Sequence, residues 1–154
     1  NGYIRLSDTA RVEDAGSGTP AVFLHVDKTQ HLLTAYALDE NGARTTTVLR
    51  TITPALGKRS TPTPTGEFTL GSRERWHYFG PSFSPFAVTY TENRYLHGPL
   101  YASRSESTVK RSHLNDFGHN VTGGCVRMPY DDALWIYMHC PAGTPLIITN
   151  GPLE

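Results

Sequence analysis

Apolar and polar residues begin to alternate at Ala21. In "AVFLHVDKTQHLLTAYAL", Val22, Leu24 and Val26 recur at every second position, a short polar turn follows, and a second apolar-rich run completes a β-hairpin pattern. "DENG" at 39–42 marks the next turn, and "TTTVLRTIT" at 45–53 is β-branched enough to predict another strand. In "STPTPTGEFTL", Pro62 and Pro64 hold the chain extended and Gly66 releases it into a strand over Glu67–Leu70. Further strands are expected at Phe86–Tyr90, Tyr95–His97 and Leu146–Thr149. One segment has a helical pattern: it starts near Pro129, carries Asp131 and Asp132 in its first turn, and aligns Ala133, Ile136, Tyr137 and Cys140 on one face. Residues 99–121 are polar and predict a long surface loop with room for a short helix, a length unusual unless it serves function. Residues 1–20 lack any sustained period and read as a lead-in arm, which leaves 21–154 as one mainly β domain with one main helix near its end.

Composition adds exclusions. A chain of 154 residues can bury one core without staples, and 14 Lys+Arg against 14 Asp+Glu leave no global field for nucleic acid or an anionic membrane. No window approaches a membrane span, and the first residues lack a signal-peptide pattern. The expectation is a mature or excised soluble domain acting as a monomer, with any targeting or anchoring segment lying outside this sequence. There are two cysteines, Cys125 and Cys140, which could pair. Cys140 shares the helix's apolar face and is expected to be a small buried residue. Cys125 needs another explanation.

That explanation lies in "HNVTGGCVRMPYDDALW", residues 119–135. A thiol becomes a nucleophile where nearby positive charge lowers its pKa, and Arg127 supplies such a charge two positions on. Gly123 and Gly124 remove side chains from its approach and free backbone N–H groups for a developing oxyanion. A nucleophile also needs a base, and there are seven histidines to choose from. His25 and His31 lie in the first hairpin, His139 at the helix end, and His113 and His119 in the polar loop. His77 sits among aromatics in "RERWHYFG" and could line a cleft. His97 differs from these, ending a strand and preceding Gly98, so that a rigid platform opens into a loop.

"LHG" at 96–98 followed by "TGGCVRM" at 122–128 resembles the catalytic motif of the L,D-transpeptidases, the YkuD-type domains. "TPTPTGEF", "DDALWIY" and "CPAGTPLIIT" are similar to other stretches of that family, in the family's order, from about residue 20 to residue 150. The resemblance implies a β-sandwich-like fold of mixed sheets with the main helix after the catalytic cysteine. It implies Cys125 as nucleophile, His97 as base, and Gly98 as the residue whose carbonyl orients the imidazole. It places the oxyanion hole at the N–H groups of Gly124 and Cys125. Arg127, Thr122 and Gly123 fall in the substrate-binding part of the motif, with Arg127 either bracing the loop or steering a donor carboxylate. Trp76, Tyr78 and Tyr101 are expected as cleft walls. Two departures stand out. Gly123 occupies the place of the motif's second histidine, for which His119 could compensate. The 28 positions from His97 to Cys125 exceed the compact motif, and the surplus, "YASRSESTVKRSHLND", is expected as a lid or substrate-binding loop.

The activity implied is peptidoglycan L,D-transpeptidation. Cys125 cleaves before the terminal D-Ala of a tetrapeptide stem, forms a thioester and passes the acyl group to a third-residue amine of another stem, giving a 3→3 cross-link. Water as acceptor gives L,D-carboxypeptidase activity. Stem peptides are the implied partners, carbapenem-type β-lactams the implied covalent inhibitors, and no cofactor or metal is needed. The implied location is extracytoplasmic, in the cell wall or periplasm. The rival readings are another cell-wall cysteine enzyme, NlpC/P60-like or sortase-like, and a non-catalytic peptidoglycan-binding module that keeps the fold.

Overall fold

The computed structural model describes residues 18–153; the lead-in arm expected over 1–20 lies almost wholly outside them. Eleven strands and one α-helix follow in order among the described residues: β1 (Val22–Asp27), β2 (Leu32–Leu38), β3 (Arg44–Ile52), β4 (Leu56–Gly57), β5 (Gly66–Thr69), β6 (Arg73–Tyr78), β7 (Phe83–Thr91), β8 (Arg94–His97), β9 (Asn120–Thr122), β10 (Val126–Arg127), α1 (Tyr130–His139) and β11 (Pro145–Thr149). They build a five-stranded sheet of order β3-β2-β1-β11-β5, a four-stranded sheet of order β10-β8-β7-β6, and a small β4-β9 ribbon. This is the mainly β, mixed-sheet architecture expected, with a single main helix.

In β1, Val22, Leu24 and Val26 face the core, while Phe23 on the reverse face stacks on Tyr36 at 4.9 Å beneath the Arg44 guanidinium, so all six β1 residues are buried. β1 pairs antiparallel with β2, as the hairpin pattern predicts, and parallel with β11, Leu24 opposite Leu146. The core gathers Leu24, Val26, Leu33, Ala35 and Ile52 from the larger sheet against Phe86, Val88, Leu96 and Val126 from the four-stranded sheet. Leu24, Leu33 and Leu96 are wholly buried, and truncating any of them to alanine would cost about 2–5 kcal/mol.

The helix buries Ala133, Leu134, Ile136 and Tyr137, and Phe86 of β7 meets the rings of Tyr130 and Tyr137. Pro129 is its N-cap rather than its first helical residue, because its ψ of 156° is still extended. At the other end the Arg73 guanidinium donates to the carbonyls of Tyr137 and Cys140, satisfying acceptors that the last helical turn leaves unpaired. Cys140 is wholly buried and free, as is the thiol of the less buried Cys125, so the two do not pair.

Four strands lie outside the sequence pattern. β4, β9 and β10 are two or three residues long, and β6 reads Arg-Glu-Arg-Trp-His-Tyr with no apolar alternation. The long loop holds two 3-10 turns, Glu106–Thr108 and Arg111–Asn115. It is fastened rather than hinged: Glu106 takes bonds from Arg75 at 2.9 Å and Tyr130 at 3.1 Å, Lys110 reaches Ser82 at 2.7 Å, and Asp116 pairs with Arg127 at 2.8 Å. No helix among the described residues is long and apolar enough to cross a membrane.

Candidate active site

The parallel pairing of β8 with β10 sets Leu96 beside Val126 and His97 beside Arg127. One step earlier, the Tyr95 N–H donates to the Cys125 sulfur at 3.4 Å. Side chains two apart on a strand share a face, so Cys125, Arg127, Tyr95 and His97 converge on one side of this pair. Strand spacing and rise put the α-carbons of Cys125 and His97 about 8 Å apart, within side-chain reach.

His97 is 3% exposed, and its Nδ1 lies 2.8 Å from the Gly98 carbonyl and 2.7 Å from the Ser84 hydroxyl. A carbonyl only accepts, so Nδ1 carries the proton and Nε2 is left with the free lone pair. The Ser84 hydroxyl lies 2.7 Å from the Gly98 carbonyl and 2.8 Å from that of Pro99, so its one proton is shared between these and its oxygen accepts from the ring. Burial drives the imidazole down to about 3, the Arg127 cation adds to the effect, the Gly98 carbonyl opposes it, and His77 reinforces it. Burial likewise raises the Cys125 thiol, against the Tyr95 N–H and then the Arg127 and Arg94 cations. At neutral pH both groups are therefore uncharged. The pair is a thiol beside a neutral base, and the thiolate forms only as the proton moves.

The glycine turn has a different division of labour from the sequence expectation. Gly124 has a φ of 121°, and a Cβ on it would lie 2.7 Å from the Arg94 Nε, so both backbone and space demand glycine. Its N–H donates to Thr122 Oγ1 at 3.1 Å and is not free for an oxyanion; the Cys125 N–H meets no acceptor among the described residues. The hydroxyl of Thr122 is itself buried and donates to the Cys125 carbonyl at 2.8 Å, so Thr122 braces the turn rather than facing a substrate. The Gly124 carbonyl receives Tyr90 Oη at 2.8 Å and Thr63 Oγ1 at 3.0 Å. Since that carbonyl and the Cys125 N–H belong to one planar trans peptide, the two hydroxyls aim the N–H in the opposite direction. Gly123 is exposed, and a Cβ there meets nothing within 4 Å.

Arg127 is 7% exposed and bound to Asp116, so of its two sequence-level roles the structure favours bracing the loop. Tyr101 is buried, pairs through its backbone with Phe83 and Val109, and takes Trp76 edge-on at 5.3 Å; Tyr101 packs under the loop instead of lining a cleft, while Trp76 stays partly exposed with the Arg75 guanidinium over its ring. Tyr78 is exposed and leans on Phe83 at 5.1 Å. The rings gathered at His97 are instead Phe79 at 4.6 Å, with Tyr95 and His77 tilted against each other 4.4 Å apart beside it. His119 is exposed, and its imidazole makes no hydrogen bond among the described residues, which gives it no place in the site. His25, His31, His113 and His139 bond Thr149, Asn120, Asp116 and the Trp135 carbonyl respectively. Among the described residues no cluster of three or more His, Cys, Asp or Glu is arranged to hold a metal ion.

Sequence reasoning missed Ser84, Thr63, Tyr90, Arg94 and Asp116. Thr63 sits inside "TPTPTGEF", so that motif carried a signal whose meaning is the bond to Gly124. Ser84 is the lone small polar residue between two aromatics in "SFSPF".

Comparison with known proteins bears on the family and the fold. The YkuD family model, the L,D-transpeptidase catalytic domain, matches residues 21–148. L,D-transpeptidase 1 of Mycobacterium tuberculosis is 31% identical over 97% of this chain, and the chain spans 56% of that relative's length. Among solved structures, the L,D-transpeptidase LdtMt1 in complex with imipenem superposes with a TM-score of 0.65 at 24% identity, over 84% of this chain and 59% of that one. L,D-transpeptidase 3 of Mycobacterium tuberculosis with a faropenem-derived adduct gives 0.61 at 23% identity, over 84% and 60%.

Proposed function

The chain belongs to the YkuD family of L,D-transpeptidase catalytic domains, and we propose that it carries out the two-step acyl transfer of that family on peptidoglycan stem peptides, with Cys125 as nucleophile and His97 as base. The observation that carries this reading is the His97 ring. It is held by Gly98 and Ser84 with Nε2 unprotonated, two residues along from Cys125 across a parallel strand pair.

As Sγ attacks the carbonyl carbon of the stem's third residue, Nε2 takes the thiol proton. The oxyanion that forms accepts from the Cys125 N–H, whose direction Tyr90 and Thr63 set through the Gly124 carbonyl. The imidazolium then gives its proton to the departing D-Ala amine, leaving a thioester. The third-residue amine of a second stem attacks that thioester while Nε2 takes its proton. The sulfur leaves and is reprotonated, and a 3→3 cross-link results. Water in the amine's place gives L,D-carboxypeptidase activity. The motif histidine that Gly123 replaces has no part in these steps, which agrees with the base lying upstream. This chemistry belongs outside the cytoplasm, in the cell wall or periplasm, where its substrate lies.

The two β-lactam-bound relatives support the expectation that a carbapenem acylates Cys125. The test is mass spectrometry of the intact protein after incubation with imipenem. One adduct on wild type and none on Cys125→Ala is expected. An unmodified wild-type protein, or an adduct that survives Cys125→Ala, would overturn the assignment.

A further inference from the structure

Five described arginines are not exposed, and acids or carbonyls engage all of them but one. Arg127 is held by Asp116, Arg75 by Glu106, Arg50 by Asp132, and Arg73 by the two carbonyls at the helix end. Arg94 is the exception. It opens β8 three residues before His97, directly after the turn at Asn93, whose φ is 59°. Its Nε is buried with no hydrogen-bond partner, as is one nitrogen each of Arg73, Arg75 and Arg127, but those three are engaged through other nitrogens, whereas Arg94 takes part in no ion pair or side-chain hydrogen bond among the described residues. Its guanidinium lies over the Gly124 α-carbon, close enough that a Cβ there would come within 2.7 Å of Nε, and its charge is felt by both Cys125 and Tyr90. A buried donor without an acceptor is costly in a folded protein and points to an occupant absent from the bare chain.

We propose that Arg94 is the carboxylate receptor of the donor site: it binds the free C-terminal carboxylate of the residue that is released, and so restricts donors to peptides ending one residue past the cleaved bond. This rests on the reading of Cys125 as a stem-peptide acyltransferase. In such a donor, the carboxylate carbon is three bonds from the carbon under attack, through C–N, N–Cα and Cα–C, roughly 4 Å by standard bond lengths. The receptor must therefore sit immediately beside the sulfur, and among the described residues Arg94 is the cation there without a counter-ion. A guanidinium is suited to the task because its planar fork matches both carboxylate oxygens. Arg127, the other cation beside Cys125, already has Asp116 for that purpose. A donor ending in an amide, or extended by a further residue, leaves the Arg94 fork unmatched.

The experiment compares release of the terminal residue from a tetrapeptide stem with a free carboxylate and from the same stem as its C-terminal amide, using wild type, Arg94→Gln and Arg94→Lys. Wild type should favour the acid at least tenfold in kcat/KM. Arg94→Gln should lose most of that preference through a raised KM for the acid, with the amide little changed, and Arg94→Lys should retain part of it. Thermal melting and the imipenem adduct on each variant report whether fold and nucleophile are intact. If Arg94 served only to tune the thiol, both donors would slow equally in Arg94→Gln. That result, or a preference that survives the substitution, would overturn the inference while leaving the acyltransferase reading in place. A wild-type protein that cleaves neither stem and takes no adduct would overturn the function itself, and the inference with it.

Discussion

The hydroxyl of Tyr90 on β7 donates a 2.8 Å hydrogen bond to the carbonyl of Gly124, the residue before Cys125. With the Thr63 hydroxyl 3.0 Å from the same oxygen, the peptide that presents the Cys125 N–H is held from two sides. Tyr90→Phe removes one of these bonds while keeping the ring that packs in the core, and Thr63→Val removes the other. Each should slow acylation by imipenem about tenfold with little change in melting temperature, less than the roughly hundredfold or greater loss when an oxyanion donor itself is deleted. The double variant should lose more than the product of the two, since one remaining bond still orients the plane. Rates equal to wild type in the double variant would show that the peptide needs neither hydroxyl.

The pH dependence follows from the uncharged Cys–His pair. With His97 held down to about 3 and the Cys125 thiol raised, neither group titrates between pH 4 and 8. The second-order rate of acylation by imipenem should be level across that range and fall below it. A free thiolate acting alone would instead give a rate rising about tenfold per pH unit.

Stability carries the same signature with a defined sign. His97 titrates at about 3 when folded against 6.5 as the reference value, so between these the unfolded chain binds the extra proton. Stability should therefore decline as pH falls from 6.5 toward 3. The urea midpoint measured from pH 7 to pH 4 should fall for wild type, and less steeply for His97→Gln.

Gly123 and Gly124 should respond in opposite ways. Gly123→Ala or Gly123→His enters open space and should leave the melting temperature and the imipenem adduct unchanged. Gly124→Ala meets both a φ of 121° and the Arg94 side chain, which should lower stability by about 1–3 kcal/mol and displace Cys125 enough to slow its acylation. A Gly124→Ala protein that melts and reacts like wild type would refute this account of the turn.

Asp116 neutralises an arginine that is almost wholly buried, at a side-chain exposure of 8% against its own 20%. Asp116→Ala should cost about 2–4 kcal/mol, because it strands the Arg127 charge, while Arg127→Met with Asp116→Asn should recover part of the loss. Denaturant melts of the three proteins check the order.

The longer strands and the helix were legible because each buries one face, and burial imposes a period on the sequence. His97 and Cys125 were legible for another reason: a resemblance named them, and the local glycines made chemical sense of the cysteine. What could not be read was anything that depends on partners far along the chain. β4, β9 and β10 are too short to carry a period, yet they bring Gly57, Thr122 and His97 into register with Cys125. Ser84 and Tyr90 are ordinary residues in an apolar strand until the fold sets them against Gly98 and Gly124. Tyr101 was misplaced because an aromatic near a motif reads the same whether it lines a cleft or fills a core.

The parallel pairing of β1 with β11 also bears on when this domain can begin to work. Antiparallel neighbours can zip from a tight turn, but β1 must wait for a strand from the opposite end of the described chain before the sheet closes. β5, whose preceding loop delivers Thr63 to the turn before Cys125, is itself hydrogen-bonded to β11. During synthesis, then, Cys125 emerges before the strand that completes its surroundings. Its reactivity toward acyl donors is expected to switch on only with the last cooperative step of folding.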